Sequence, residues 1–244
     1  FWLGRKRYVH IPPAGMAFVK DTFSLDGLKA IGKLSLLIFF LAPFYALFEQ
    51  TGSAWVLQAK QMDLNFLGFE LYPSQVHAVN PILVLVFAPL FAYGLYPRVS
   101  KVWPLTPLRK IGVGFFVAAA SFTIPMLIES WIADGQTPSI WWQVLAYIII
   151  TAAEVLIGIT ALEFFYTQGP RRMKSLIMSV KMFAVSAGNA FTAIVNFAIQ
   201  DETGTSRLSG VEYYGFFAVV MLVSAVLFVF VARWYPVKDV LQEH

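Results

Sequence analysis

Residues Phe44–Ala59 read FYALFEQTGSAWVLQA, an apolar run with one carboxylate, Glu49, in its middle. Leu34 to Phe48, immediately before it, contains no charged residue. At helical spacing Tyr45 falls one turn before Glu49, and Gly52 and Ser53 fall one turn after it. The pattern therefore predicts a lipid-like helix carrying a single polar stripe. An ionisable side chain at the centre of a bilayer costs about 2.5–3.5 kcal/mol on insertion scales, so such a residue requires a partner or a function. A pathway for solute or protons is the default expectation.

Working outward, the 244 residues are 58% hydrophobic and 13% charged, with a mean hydropathy of +0.67. Soluble domains carry about 25% charged residues, so this composition predicts an all-α integral membrane protein. There are 0 cysteines, which excludes a disulfide framework and thiolate metal sites. The histidines, His10, His77 and His244, are too scattered for a metal cluster. The chain opens on FWL and turns basic at once at Arg5, Lys6 and Arg7, as the end of a preceding spanning helix would. Residue 1 accordingly reads as an internal position of a longer protein.

Six hydrophobic stretches follow, at about 34–59, 73–96, 109–131, 141–167, 173–199 and 212–235, each near the ~20 residues that cross hydrocarbon. Residues 1–33 read as the end of a preceding helix and a cytosolic linker, 34–235 as a six-helix bundle, and 236–244 as a cytosolic tail. Ser24 is placed to cap a short amphipathic helix in the linker. Fifteen of the eighteen Lys and Arg fall on one side of the alternating loops, from Arg5 to Lys33, Arg98 to Lys110, Arg171 to Lys174 and Arg233 to Lys238. Lys60 and Arg207 fall on the other, and Lys181 lies inside a span. This asymmetry predicts that both ends are cytoplasmic. It also assigns the net charge of +4 to membrane topology and not to nucleic-acid binding.

Beyond Glu49, polar residues mark three other spans. Asn80 precedes Pro81, with His77 three residues earlier on the same face; proline leaves backbone carbonyls short of donors there. The bland alternative is a kinked helix whose Asn bonds a neighbouring helix. Glu154 follows about twenty uncharged residues, and its face neighbours Thr151, Gly158 and Ala161 are small. Glu163 lies nearer the helix end and reads as structural, within reach of water or of Arg171 and Arg172. Lys181 sits two turns inside the fifth span, where it either snorkels to the headgroups or turns inward to pair with Glu154. With only His77 and Lys181 as intramembrane bases, Glu49 is expected to be protonated or to pair with a group outside this chain.

Four segments carry a family resemblance: FYALFEQTGSAWVLQAKQM from Phe44, PSQVHAVNPILVLVFAPLFAYGLYP from Pro73, AEVLIGITALEFFYTQGPRRMKS from Ala153, and SAGN at Ser186–Asn189. Together they resemble the proton-dependent oligopeptide transporters of the major facilitator superfamily. The likeness covers residues 34–235 and implies the C-terminal six-helix half of such a transporter. FWLGRKRYVHIPP resembles the end of the sixth helix and the start of the interdomain linker. By this resemblance Glu154 matches the carboxylate that binds a peptide's amino terminus, and Asn80 an asparagine that contacts the peptide. Glu49 matches an acidic gating position that pairs with the N-terminal half. Tyr45 and Lys181 occupy pocket positions where the family generally has Trp. Lys181 thus puts a cation in place of an aromatic wall.

The resemblance implies proton-coupled symport of di- and tripeptides by alternating access. The implied partners are small peptides, protons, the lipid bilayer and an N-terminal six-helix half, in the cytoplasmic (inner) membrane. No cofactor or metal is implied. The family's Glu-x-x-Glu-Arg proton motif and its basic site for the peptide carboxylate belong to the half this chain lacks. Two other readings stand beside it: a drifted member carrying another peptide-like or amino-acid solute, and a non-transporting receptor or assembly subunit. An enzyme is the poorest reading, because no nucleophile–base pair or cofactor fingerprint stands in a plausible context.

Overall fold

The computed structural model describes residues 15–168, 173–201, 206–208 and 210–235. Among them, six helical segments are long and apolar enough to cross a membrane: Leu25–Ala59, Pro73–Val99, Pro107–Ala133, Trp141–Gln168, Lys174–Ala198 and Gly210–Trp234. They match the six hydrophobic stretches closely except at the first, which starts at Leu25. Ser24 is the cap, as its type predicts: its Oγ accepts from the Gly27 N–H at 3.0 Å in extended backbone. The expected amphipathic helix is thus continuous with the first span instead of separated from it. The expected preceding helix, the 236–244 tail, and the basic residues Arg5–Arg7, Arg171, Arg172 and Lys238 lie outside the described residues.

A short helix, α1 (Gly15–Thr22), leads into the first span, which consists of α2 (Leu25–Phe39), α3 (Leu41–Phe48) and α4 (Ala54–Ala59). The α2–α3 break falls three to four residues before Pro43, whose ring clashes with the carbonyl four residues earlier. The same rule divides the third span into α7 (Pro107–Ser121) and α8 (Thr123–Ala133), ahead of Pro125. In the second span a 3₁₀ stretch, Pro73–Ala78, precedes α5 (Val79–Pro89), and a π-helical segment, Leu90–Leu95, then joins it to α6 (Tyr96–Val99). The fourth span is α9 (Trp141–Glu154), a π-helical segment Val155–Ile159, and α10 (Thr160–Gln168). Spans five and six are the unbroken helices α11 (Lys174–Ala198) and α12 (Gly210–Trp234).

Packing follows residue size. Helix α11 lies along α3 because Gly188 lets the backbones meet: a Cβ there would stand 2.6 Å from the Ala42 carbonyl and 2.7 Å from the Ala46 nitrogen. One turn further on, the Thr192 hydroxyl donates to the Ala46 carbonyl at 3.2 Å. Aromatic side chains fill the centre. Trp55 is wholly buried, with ring centroids 5.7 Å from Phe122 and 5.0 Å from Tyr147, and Phe228 meets Phe40 and Phe115 edge-on. The third and fourth spans bury 61% of their most apolar windows, the second only 11% and the fifth and sixth 22% each, so the latter three keep broad faces for lipid or other protein.

Outside the spans, a two-residue hairpin pairs β1 (Asn65–Phe66) with β2 (Phe69–Glu70) through Leu67 and Gly68, both at positive φ. Phe66 stacks on Trp141 with ring centroids 4.3 Å apart, which ties the hairpin to the start of α9.

Candidate functional site

The first span loses α-helical geometry at Glu49. Helix α3 ends at Phe48, Glu49–Gly52 is 3₁₀, and Ser53 lies outside helical backbone angles. The polar side chains explain this. Gln50 Nε2 donates to the Ala46 carbonyl at 2.7 Å, and the Thr51 hydroxyl donates to the Phe48 carbonyl at 2.7 Å. The Thr51 carbonyl in turn accepts from the Tyr147 hydroxyl at 2.8 Å. Side chains thus take up carbonyls that a continuous helix would satisfy with its own N–H groups. The expected stripe of Tyr45, Glu49, Gly52 and Ser53 on one regular helical face is therefore interrupted at its carboxylate.

On the opposite wall, Asn80 Nδ2 donates to Glu154 Oε2 at 2.8 Å and to the Thr151 hydroxyl oxygen at 3.0 Å. Asn80 and Thr151 are buried and Glu154 is half-buried. Helix α5 packs on α9 at this point, so Asn80 does bond a neighbouring helix, and what it bonds there is Glu154 together with Thr151. Oε1 of Glu154 accepts no hydrogen bond from a described residue. The π-helical segment begins at Val155, immediately after Glu154; such bulges recur at functional sites because they re-aim the side chains beside them.

The structure brings four of the five sequence-derived residues together. Tyr45 lies within electrostatic reach of both Glu154 and Glu49, and the two carboxylates act on each other. Glu49 is exposed, and its carboxylate accepts no hydrogen bond from a described residue. Lys181 stands apart. It is buried on α11 in a stripe with Ile177, Ala184 and Gly188, and it forms no ion pair with Glu154. Glu163 is exposed; the arginines expected to pair with it fall outside the described residues. His77 sits above Asn80, with Nδ1 3.5 Å from the Tyr147 hydroxyl.

Sequence reasoning passed over a second polar cluster. Gln58 Nε2 donates to the Pro125 carbonyl at 2.9 Å and to Glu129 Oε1 at 2.8 Å. Gln143 Nε2 donates to the Trp55 carbonyl at 2.8 Å. These bonds fasten α4 to the third and fourth spans. A signal for them existed: Gln143, Tyr147, Thr151 and Glu154 recur at helical spacing and form one polar stripe along α9.

Six apolar helices that carry two carboxylates, an asparagine and a tyrosine within their spans define a polytopic membrane protein of the solute-transporter class. The family model described as PTR2, POT family, matches residues 15–209, and the chain belongs to that family. The yeast (Saccharomyces cerevisiae) "Peptide transporter PTR2" is 27% identical over 88% of this chain and 36% of its own length. "Peptide transporter family 1" of Drosophila melanogaster is 38% identical over 48% of this chain and 15% of its own length. Among solved structures, an auto-inhibited POT family peptide transporter superposes over 100% of this chain and 63% of that one, with a TM-score of 0.84 and 25% identity. The POT family transporter PepTSo superposes over 98% of this chain and 62% of that one, with a TM-score of 0.82 and 27% identity. The chain thus spans about a third or less of these curated relatives' lengths.

Proposed function

We propose that this chain forms the C-terminal half of a proton-coupled symporter of di- and tripeptides. In this reading it works by rocking against an N-terminal six-helix half in the cytoplasmic membrane, with both of its own ends cytoplasmic. The observation that carries the reading is the Asn80–Glu154–Thr151 arrangement beside Tyr45 and Glu49. Asn80 holds one carboxylate oxygen in place and leaves the other open. A fixed carboxylate with one free oxygen is suited to a charge-assisted hydrogen bond from a peptide's ammonium group. Asn80 and Tyr45 then border the substrate.

Glu49 has a different role. It stands at the break in the first span, exposed on this half, where a basic group of the other half can meet it as the halves close. A carboxylate that exchanges a cationic partner for a proton is what coupling requires. Peptide names among the relatives and the neighbours' folds support the substrate class. In the intact protein reconstituted into liposomes, Glu154→Gln is expected to abolish dipeptide-dependent proton uptake while membrane insertion stays normal. Undiminished uptake would remove Glu154 from the site. The second reading, a member carrying another amino-acid-like solute, rests on Lys181, a cation that the peptide site as described does not use.

A further inference from the structure

Between α2 and the end of α12 lies a groove of about 390 Å³, lined by Lys33 and Leu36 on one side and by Phe230, Val231, Trp234 and Tyr235 on the other. That volume is within the range of roughly 300–1,000 Å³ typical of small-ligand sites. The lining is apolar except for one cation and the polar tips of two aromatic rings. None of these residues takes part in the bonds around Glu154.

Depth in the bilayer narrows what fills the groove. Helix α12 runs for 25 residues. At a rise of 1.5 Å per residue that is about 37 Å, against roughly 30 Å of hydrocarbon, so its ends reach the headgroup layers. Trp234 closes the helix and is 88% exposed. Tyr235 is fixed beside it by edge contact with buried Phe164, the ring centroids 6.0 Å apart. Trp and Tyr are the side chains that settle where hydrocarbon meets headgroups. Lys33 faces this last turn across the groove and therefore stands at the same level. A lysine there lays its stem on the apolar wall and keeps its ammonium among the headgroups. Leu36 and Phe230, both exposed, carry the apolar wall from that level into the hydrocarbon. Lys29, one turn earlier on α2, and Arg233, in the last turn of α12, add positive charge at the same end, where Asp26 is the carboxylate on α2.

We propose that this groove holds an anionic phospholipid. One acyl chain lies against Leu36, Phe230 and Val231, and the phosphate meets the Lys33 ammonium, with Trp234 beside the top of the chain. Basic pockets between spanning helices recognise anionic headgroups in this way. The site goes beyond the peptide reading and does not depend on it. The orientation proposed above supplies only the leaflet, the cytoplasmic one, whose lipids carry the negative charge.

The test places the intact protein in phosphatidylcholine nanodiscs and adds either phosphatidylglycerol or phosphatidylcholine with brominated acyl chains, which quench tryptophan on contact. Quenching that disappears in Trp234→Phe is the share belonging to Trp234, measured in wild type, Lys33→Gln, Lys33→Arg and Lys60→Gln. At equal lipid fraction, brominated phosphatidylglycerol is expected to quench Trp234 about threefold more than brominated phosphatidylcholine, in line with one cation at an anionic surface. The preference should vanish in Lys33→Gln and persist in Lys33→Arg, which keeps the charge and so separates loss of the cation from loss of the fold. It should also persist in Lys60→Gln, which removes the same charge from the other end of the first span. Equal quenching by the two lipids overturns the proposal, as does a preference that survives Lys33→Gln. An equal loss in Lys60→Gln overturns it too, because net charge would then suffice without the groove. Trp234 quenched by neither lipid would mean that another part of the protein fills the groove, and the site would not exist. No transport is measured, so these outcomes stand apart from the success or failure of the peptide reading.

Discussion

Asn80 is the residue on which the geometry around Glu154 turns, because its single amide nitrogen serves two acceptors on the facing helix. Removing it leaves Thr151 and Glu154 without their shared donor, and an unsatisfied buried polar group costs about 1–3 kcal/mol. Part of that loss falls on the bound state, since Glu154 would no longer be aimed. Asn80→Ala in the intact transporter is therefore expected to raise the half-saturating dipeptide concentration about tenfold, read by uptake in liposomes at constant protein. An unchanged value would show that Glu154 holds its position without the amide. Charged residues inside apolar runs announce themselves, which is why Glu49 and Glu154 were legible in the sequence. The bond between Asn80 and Glu154 was not. It links residues 74 positions apart in the chain, and its existence depends on how two spans rotate against each other.

At the scale of the element, the first span is two helices joined at a polar break, and each piece is anchored differently. Helix α3 is pressed against α11 at Gly188, whereas α4 is fastened through Gln58, Trp55 and Tyr147 to the third and fourth spans. Several of the interruptions follow from prolines, whose effect on the carbonyl four residues back is local. The break at Glu49–Gly52 has no proline. It follows from the side chains of Gln50 and Thr51 taking backbone carbonyls and from Tyr147 reaching across, a tertiary cause that the sequence of one span does not contain. Gln58→Leu removes the donor from Glu129 and from the Pro125 carbonyl while keeping side-chain bulk. By the same cost of an unmade buried bond, about 1–3 kcal/mol, it is expected to lower the melting temperature of the detergent-solubilised protein. A melting temperature equal to wild type would show that Trp55 packing and the Gln143 bond to the Trp55 carbonyl suffice to hold α4.

For the whole molecule, the number of the spans and all their limits but the start of the first were readable, because about twenty apolar residues are needed to cross a bilayer wherever they occur. What lies against the sparsely buried second, fifth and sixth spans was not readable, since lipid and a second helical half select similar apolar surfaces. Orientation rests on charge asymmetry, and the composition of the chain makes it directly testable. This chain has 0 cysteines, so once any thiol outside it is replaced, each introduced thiol reports its own position. Gln136 follows the end of α8, in the loop before α9, and Val102, 90% exposed, lies in the loop after α6. If the basic loops are cytoplasmic, Gln136→Cys in intact cells should react with a membrane-impermeant maleimide. Val102→Cys should then react only after the membrane is permeabilised. The reverse pattern would invert the topology and carry Arg98, Lys101, Arg109 and Lys110 to the outer face against the positive-inside rule. Such an inversion would also turn α11 over, so that Lys181 would lie nearer the outer surface than Tyr45.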